Sequence, residues 1–393
     1  MKRGIINLPL HGGHAPSYLI KRMIKLSAAI SKIIIEEEGS KEFFKRISDP
    51  LWFQAFGCVL GFDWHSSGLT TVVTGVLKQS ILYDTHGISL SGGKGRNSTK
   101  PKYEIPKLAE RNHNLSTNRI NELVYASKMS AKVDSAAIQD GFNLYHHCIL
   151  FDDYGHWTII QQGLNKTNKM ARRYHWISNN LLNYIIEPHR GIIGNERIPF
   201  CLDMTSRESE KNRKICVDII KEGSKSVKSY IDKIMETNIP QNLDKWLYNN
   251  NKLPSDSYGF FERDNIEKYE MPSKINWKIM DELYDNNPKN YEDIISQEGV
   301  GPSTIRALSL IAEIIYGTKT SWNDPVKYNY AHGGKDGVPY PISRNIYDHS
   351  IKYLSEAING SEIEKEEKIK SLKRLSVYSN ILFNTNDYNY HTK

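Results

Sequence analysis

Two carboxylates, two adjacent histidines and an amide follow each other closely in the chain. Asp134 and Asp140 come first, His146 and His147 are neighbours, and Gln162 follows. Carboxylate oxygens and imidazole nitrogens bind Mg²⁺ or Mn²⁺, and a metal-bound water can attack a phosphodiester. We expect both aspartates to bind such a metal, a histidine to act as base or ligand, and Gln162 to orient substrate. The alternative is that these residues have structural roles. Asp134 would then cap a helix, Asp140 would lie in a turn, and the amide groups would be hydrogen-bonded within a sheet.

A second set of metal-ligand types lies earlier in the chain. It consists of two Asp-x-His tripeptides, one with Asp63 and His65 and the other with Asp84 and His86. Side chains two residues apart point the same way in an extended segment, so each pair could chelate a metal. The alternative is that these residues cap helices and pair at loop ends.

The clearest β pattern surrounds the histidine pair. Residues 144–152 and 156–162 flank an Asp-Tyr-Gly turn and predict a hairpin of two strands. Because neighbouring strand residues face opposite sides, we expect His146 on one face and both Tyr145 and His147 on the other. Both faces carry apolar residues, which predicts a sheet covered on both sides.

Residues 293–317 have the pattern of a helix-hairpin-helix. A short apolar helix leads into Gly-Val-Gly-Pro, and an amphipathic helix follows. Glycine permits the tight turn and proline suits the first helical turn, which leaves backbone N–H groups available to phosphate oxygens. The alternative is an ordinary Gly-Pro turn between core helices. We expect contacts to the DNA backbone, without sequence readout, from Gly299, Val300, Gly301, Ser303, Thr304 and Arg306.

The charge balance permits a nucleic-acid partner. The net charge is +7, and basic residues are concentrated at 94–132 and at 166–173. The first stretch begins in a glycine-rich loop at 91–96, and the second overlaps a run of arginines and aromatic rings at 171–176. Arginine beside aromatic rings suits phosphate pairing and base stacking. The alternative is solvated basic turns. We expect further phosphate contacts from Lys94, Arg96, Arg172 and Arg173.

Cysteine usage and hydropathy exclude two classes of protein. The four cysteines have no Cys-x-x-Cys spacing, which excludes a zinc ribbon and predicts reduced, buried thiols. The first residues lack the apolar core of a signal peptide, and the most apolar run, 26–35, is too short to span a bilayer. We expect a cytoplasmic protein that does not enter membranes, and its oligomeric state stays open.

The element pattern predicts an α+β fold that is rich in helices. A small mixed or antiparallel sheet around residues 144–162 is packed by helices, and an all-α region carries the hairpin. Three regions are expected: an α+β catalytic domain at 1–200, a charged helical and linker region at 201–273, and a helical domain at 274–393.

Three functions are compatible with these residues. The first is a metal-dependent nuclease in DNA repair or processing. The second is a base-excision glycosylase, because Asp324 follows the hairpin at about the offset of the catalytic aspartate in helix-hairpin-helix glycosylases. A lyase activity is not expected, since Ser303 occupies the position of the lysine in bifunctional members. The third is a DNA-binding or scaffold protein without catalysis.

Eight longer motifs together resemble one known family, the domain-of-unknown-function family number 763. The resemblance extends from Arg3 to about Asp348 and implies a soluble protein with a helix-hairpin-helix, found mainly in archaea and thermophilic bacteria. It supplies no reaction, so the expected functions rest on the residues above. The motifs are LPLHGGHAP, DPLWFQAFGCVLGFDWHSSGLTT, SGGKGR, AKVDSAAIQDGFNLYHH, WTIIQQGLN, ARRYHW, GVGPSTIRAL and AHGGKDGVPYP.

Overall fold

The computed structural model describes most of the chain. Asp63 and His65, one of the two alternative metal pairs, lie outside the described residues, as does most of the expected linker between 238 and 268. The described residues are 17–62, 67–179, 181–194, 197–237, 269–326 and 351–377, with the backbone of 328–329, 344–350 and 378–386.

The N-terminal part of the chain forms a helical layer. The first helix bends at Gly39, whose φ of 85° interrupts the helical conformation. The second is entirely buried and begins where the Asp49 side chain accepts the amides of Leu51 and Trp52. The helices of this layer are α1 (Ser17–Ser48), α2 (Pro50–Leu60), α3 (Gly68–Ser80) and α4 (Tyr83–His86).

The sheet is small and mixed, as predicted. Its strand order is β1-β3-β4-β5-β6-β8, with antiparallel neighbours except for the parallel pair of β6 and β8, while β2 and β7 form a separate pair. The strands are β1 (Ile88–Lys94), β2 (Ile138–Gln139), β3 (Asn143–Asp152), β4 (Trp157–Asn165), β5 (Met170–Ile177), β6 (Gly191–Gly194), β7 (Leu202–Asp203) and β8 (Tyr328–Asn329).

The expectation that residues 91–96 form a glycine-rich loop is partly wrong. Its first four residues, up to Lys94, continue strand β1 and pair with β3. Gly92 has a φ of 94°, and a Cβ there would lie 2.2 Å from the main-chain oxygen of His147. Its glycines therefore permit close packing of two strands rather than a flexible loop.

The remaining helices surround the sheet. Helix α6 continues into one π-helical turn, Val133–Ala137, which carries Asp134. The helices are α5 (Pro101–Asn112), α6 (Thr117–Lys132), α7 (Glu210–Lys221), α8 (Ser224–Thr237), α9 (Trp277–Asn286), α10 (Tyr291–Ser296), α11 (Pro302–Ile314), α12 (Arg344–Gly360) and α13 (Lys365–Asn386).

Both faces of the sheet are covered, as predicted. Ile149 and Phe151 face a core that includes α5, α6, α7 and the helices near the predicted hairpin. Cys148 and Leu150 face a second core with α1, α2 and α3. The alternation of β3 thus separates two apolar cores, and any polar residue of this strand must be satisfied within one of them.

Two further observations concern thiols and membranes. All four cysteines are buried and form no disulfide in the described part of the chain. No helix of that part is both long and apolar enough to cross a bilayer.

Candidate nucleic-acid interface and buried polar networks

The turn between α10 and α11 lies at the surface, where the Gly-Val-Gly-Pro pattern predicts a tight connection. We call residues Gln297–Gly301 the hairpin turn. A capping box between Asn290 and Asp293 starts α10, and Gly301 is the N-cap of α11. Gly299 adopts a φ of 84°, a conformation that favours glycine.

The N-terminus of α11 is open to an approaching ligand. The N-cap residue, Gly301, has no side chain to cap this helix, and the first-turn amides lack intrahelical acceptors by geometry. A Cβ added at Gly301 would meet nothing within 4 Å. The side chains of Val300 and Thr304 are buried, so these two residues present their backbone rather than their side chains.

The side chain of Lys132 anchors the hairpin turn through hydrogen bonds, a role that the sequence did not indicate. Its Nζ donates to the main-chain oxygens of Gln297 at 2.9 Å and Val300 at 2.7 Å. Gln139 Nε2 donates to the Pro302 oxygen at 2.9 Å. Burial, together with the charge of Lys128, lowers the pKa of Lys132. The turn is therefore fixed to the end of α6 through two of its carbonyl groups.

The basic residues expected to contact phosphates differ in their exposure. Lys94 and Arg96 are exposed. Arg172 and Arg173 are 0% and 1% exposed, so the expectation that they meet phosphates at the surface is not supported. Arg172 binds carboxylates, and Arg173 donates to Thr70, Gln54 and His175 on the opposite face.

Arg306 of α11 is half-buried and contacts other parts of the chain. Its Nε donates to the main-chain oxygen of Glu270 at 3.0 Å, and its guanidinium lies 5.4 Å from the centre of the Trp322 ring. The guanidinium of Arg306 is therefore already engaged by groups of the protein.

Asp134 belongs to a buried network on the α6 face of the sheet. It accepts hydrogen bonds from His189 Nε2, Trp176 Nε1 and Gln161 Nε2. Burial raises its pKa, while the neighbouring His189 and these hydrogen bonds oppose the rise. His147 joins the network because its Nδ1 lies 2.8 Å from Gln161 Oε1.

Asp140 belongs to a second network on the same face. Arg172 Nη1 donates to it at 2.9 Å, Tyr174 Oη at 2.7 Å and the Phe142 amide at 3.0 Å. Arg172 also makes two bonds to Asp324, whose side chain is 1% exposed. Burial raises the pKa of Asp140, and the charge of Arg172 opposes that rise.

The structure does not assemble the expected metal site. The oxygens of Asp134 and Asp140 already accept hydrogen bonds in separate networks, and Arg172 balances the charge of Asp140. Among the described residues, no group of three or more His, Cys, Asp or Glu side chains could hold a metal. Asp134 and Asp140 therefore do not fit a divalent ion in this arrangement, and we assign no step to one.

The alternative pair Asp84 and His86 does not converge on a common point either. Asp84 is exposed, whereas His86 is buried. The His86 ring binds the main chain of Leu82 through Nδ1 and the Ala28 oxygen through Nε2. This histidine joins α4 to α1, which is the structural alternative for this tripeptide.

Burial of neutral His147 predicts a loss of stability in acid. Burial lowers its pKa to about 4, although the bond to Gln161 opposes this, whereas an unfolded histidine titrates near 6.5. The stability that depends on keeping the His147 ring neutral is therefore present above pH 6.5 and is lost as the pH falls towards 4. Between pH 7 and 5, we expect wild type to lose about 2 kcal/mol more unfolding free energy than His147→Gln.

Urea denaturation at both pH values measures this difference, and Ser127→Ala is the control. That variant removes the Ser127 hydroxyl, 2.8 Å from His147 Nε2, but keeps the titrating ring. It should retain the pH dependence of wild type. Equal pH dependence in wild type and His147→Gln would contradict the prediction.

The opposite face carries a polar row that crosses the strands. Lys94, His146, Gln162 and Arg173 are successive cross-strand partners on β1, β3, β4 and β5. The expected position of Tyr145 is wrong, because a β-bulge between Leu144 and His146 turns it to this face. Its hydroxyl accepts a hydrogen bond from Gln162 Nε2.

His146 has a defined tautomer in this row. Thr74 Oγ1 donates its proton to the Thr70 oxygen at 2.8 Å, so it accepts from His146 Nε2 at 3.1 Å. Nδ1 then carries a lone pair. Neither this Nδ1 nor Gln162 Oε1 has a hydrogen-bond partner in the described part of the chain. Burial, with the neighbouring His147 and Lys94, lowers the pKa of His146 to about 3, so the ring is neutral.

The fold and the sites described above define a helix-rich α+β protein with a small sheet and an open N-terminus of helix α11. The model of the family described as "Protein of unknown function (DUF763)" matches residues 4–342, so the chain belongs to this family. Neither the curated proteins nor the solved structures contain a match.

Proposed function

We propose that this protein binds DNA through the phosphate backbone at the hairpin turn. The observation that carries the proposal is the uncapped N-terminus of α11 behind Gly301, where a Cβ would meet nothing. Backbone amides and the positive end of the helix dipole favour a phosphate at such a position. The anchoring by Lys132 supports this, because it orients the turn before a ligand arrives.

Exposed cations near the hairpin turn support a polyanionic partner. Lys102 is fully exposed and close enough to Glu298 for its pKa to be affected by that carboxylate. Lys128, whose charge acts on Lys132, is exposed as well. Lys94 and Arg96, at the end of β1 and just after it, are also exposed and could contact a more distant part of the same DNA. Contacts of this kind bind phosphates irrespective of sequence, so affinity should fall steeply with salt. With DNA as the partner, we propose that the protein acts in the cytoplasm.

The substitution Gly301→Val is expected to weaken DNA binding about tenfold or more. A hydrogen bond to a charged group contributes about 1.5–3 kcal/mol, and about 1.4 kcal/mol corresponds to a tenfold change. The backbone of Gly301 is extended, at φ −139° and ψ −173°, so valine fits without strain. Fluorescence anisotropy with a labelled DNA duplex at two salt concentrations measures the effect.

The matched control is Gly75→Val in α3, where an added Cβ also meets nothing within 4 Å. It should bind DNA as wild type does. If Gly301→Val bound as tightly as wild type and lost affinity with salt equally, the hairpin turn would not be the binding site.

Cleavage of the DNA backbone is a second candidate function, favoured by the polar row around His146. His146 is 1% exposed, so this reaction requires a conformation in which water and a phosphate can reach the ring. There its Nδ1 lone pair could accept a proton from water as the water oxygen attacks phosphorus, and the ester oxygen would leave with a proton from solvent. The half-buried Tyr145 hydroxyl and the exposed Lys94 would contact the phosphate. The nuclease proposal therefore shifts from Asp134 and Asp140 to His146 and Gln162.

A further inference from the structure

A surface cavity of about 830 Å³ lies apart from both the hairpin turn and the polar row. Its walls are the first half of α6, the turn between β3 and β4, and the segment after β5. Cavities of roughly 300–1,000 Å³ are the size that binds small molecules or parts of larger ones. Neither candidate function described above uses this cavity.

Aromatic rings form much of its lining. Tyr184 stacks on Trp157 with ring centres 6.4 Å apart and planes 6° apart, and it meets Tyr125 edge-on at 5.4 Å. Tyr154, which is 73% exposed, lies at the cavity mouth beside His156. Flat aromatic faces that reach solvent can stack with other flat rings.

The polar part of the lining includes four asparagine amides beside Lys41, Arg119, Glu122, His156 and Ser178. Asn118, Asn121 and Asn179 line the cavity, and an amide offers both donors and acceptors. The edges of nucleobases present the same combination of groups. Arg119 lies at the cavity too, although its guanidinium contacts Glu122.

One helix joins the cavity to the hairpin turn. Tyr125 lines the cavity and donates to Glu292 of α10 at 2.7 Å, while Lys132 holds the turn that follows α10. These two residues are seven positions apart, so they lie on the same face of α6, about 10 Å from each other. A DNA strand of a few nucleotides can span that distance.

We propose that this cavity binds an unpaired nucleobase of the DNA strand whose phosphates the hairpin turn holds. The inference rests on the proposed DNA binding and adds a preference for single-stranded or distorted DNA. Stacking on tyrosine accepts any base, so the preference concerns strand structure rather than sequence.

The test compares Tyr154→Ala with wild type on a single-stranded oligothymidylate and on a fully paired duplex. Stacking of one base predicts a loss of about tenfold or more for the single strand and no change for the duplex. The control Tyr18→Ala removes an equally exposed tyrosine, 65% exposed, outside the cavity lining. Equal affinity of Tyr154→Ala and wild type for the single strand would overturn the proposal.

A mononucleotide distinguishes failure of the cavity from failure of the hairpin turn. Titration with deoxyadenosine monophosphate should quench the fluorescence of Trp157, and Trp157→Phe should abolish this signal. If Gly301→Val weakens DNA binding while the mononucleotide leaves Trp157 unchanged, the cavity proposal fails alone. If the mononucleotide binds and Gly301→Val has no effect, the proposed role of the hairpin turn fails instead.

Discussion

Replacing Asp324 by alanine is expected to lower the free energy of unfolding by about 3–5 kcal/mol. Arg172 donates to both Asp324 oxygens, at 2.9 and 2.7 Å, and the side chains of both residues are at most 1% exposed. The amides of Ile198 and Val326 donate to the same carboxylate. Its removal leaves the buried guanidinium of Arg172 without two of its hydrogen bonds and without one of the two carboxylates that balance its charge.

The control for this prediction is the exposed ion pair of Asp218 and Lys221, whose charged atoms are 3.9 Å apart. Asp218→Ala should change stability by less than about 1 kcal/mol, since solvent screens such pairs. Urea midpoints measure both variants. A second substitution at the same position, Asp324→Asn, tests the glycosylase alternative. An Asp324→Asn protein with wild-type stability but without base excision would favour glycosylase chemistry over the structural role.

Replacing His146 by alanine is expected to reduce DNA cleavage by about 10²-fold, the lower end of the usual contribution of a general base, because burial lowers its pKa to about 3. DNA affinity should stay unchanged, because the hairpin turn lies on the other side of the sheet. The reason for choosing His146 over His147 is its unpartnered Nδ1, whereas both ring nitrogens of His147 have partners. Cleavage is measured on single-stranded, duplex and branched DNA.

Several controls make the cleavage experiment decisive. His146→Asn and thermal unfolding separate lost chemistry from lost folding, and Lys214→Ala at an exposed, remote position should cleave normally. Reactions with Mg²⁺, Mn²⁺ or chelator establish whether a divalent metal is needed. Cleavage that persists in His146→Ala would refute the role of this residue. Absence of cleavage by wild type on every substrate would leave DNA binding as the function.

Local patterns in the sequence predicted the elements that surround these sites. The hairpin of strands near 144–162, the covered sheet and the short turn before Pro302 all depend on residues a few positions apart. Periodicity and turn chemistry operate over that range, so the sequence contains this information directly. The prediction for Tyr145 was wrong because a bulge in β3 interrupts the alternation of side chains between the two faces of the sheet.

The partners of the charged side chains could not be predicted in the same way. Arg172 and Arg173 are adjacent in β5, so they face opposite cores and are both buried instead of meeting phosphates. Asp134 and Asp140 were expected to bind a metal, but each is satisfied by side chains from distant strands and loops. Lys132 gained its role only from carbonyl groups 165 and 168 positions away in the chain.

The sequence by itself therefore determined the fold class, the pairing of β3 with β4 and a turn whose amides can face a phosphate. Only the tertiary structure decided which polar residues are used inside the protein and which remain available to a ligand. The physical reason is that a buried charge needs a partner, and the partner of Arg172 lies 152 residues further along the chain. No local spacing encodes that meeting, whereas the lone pair of His146 and the open space at Gly301 remain after such pairing.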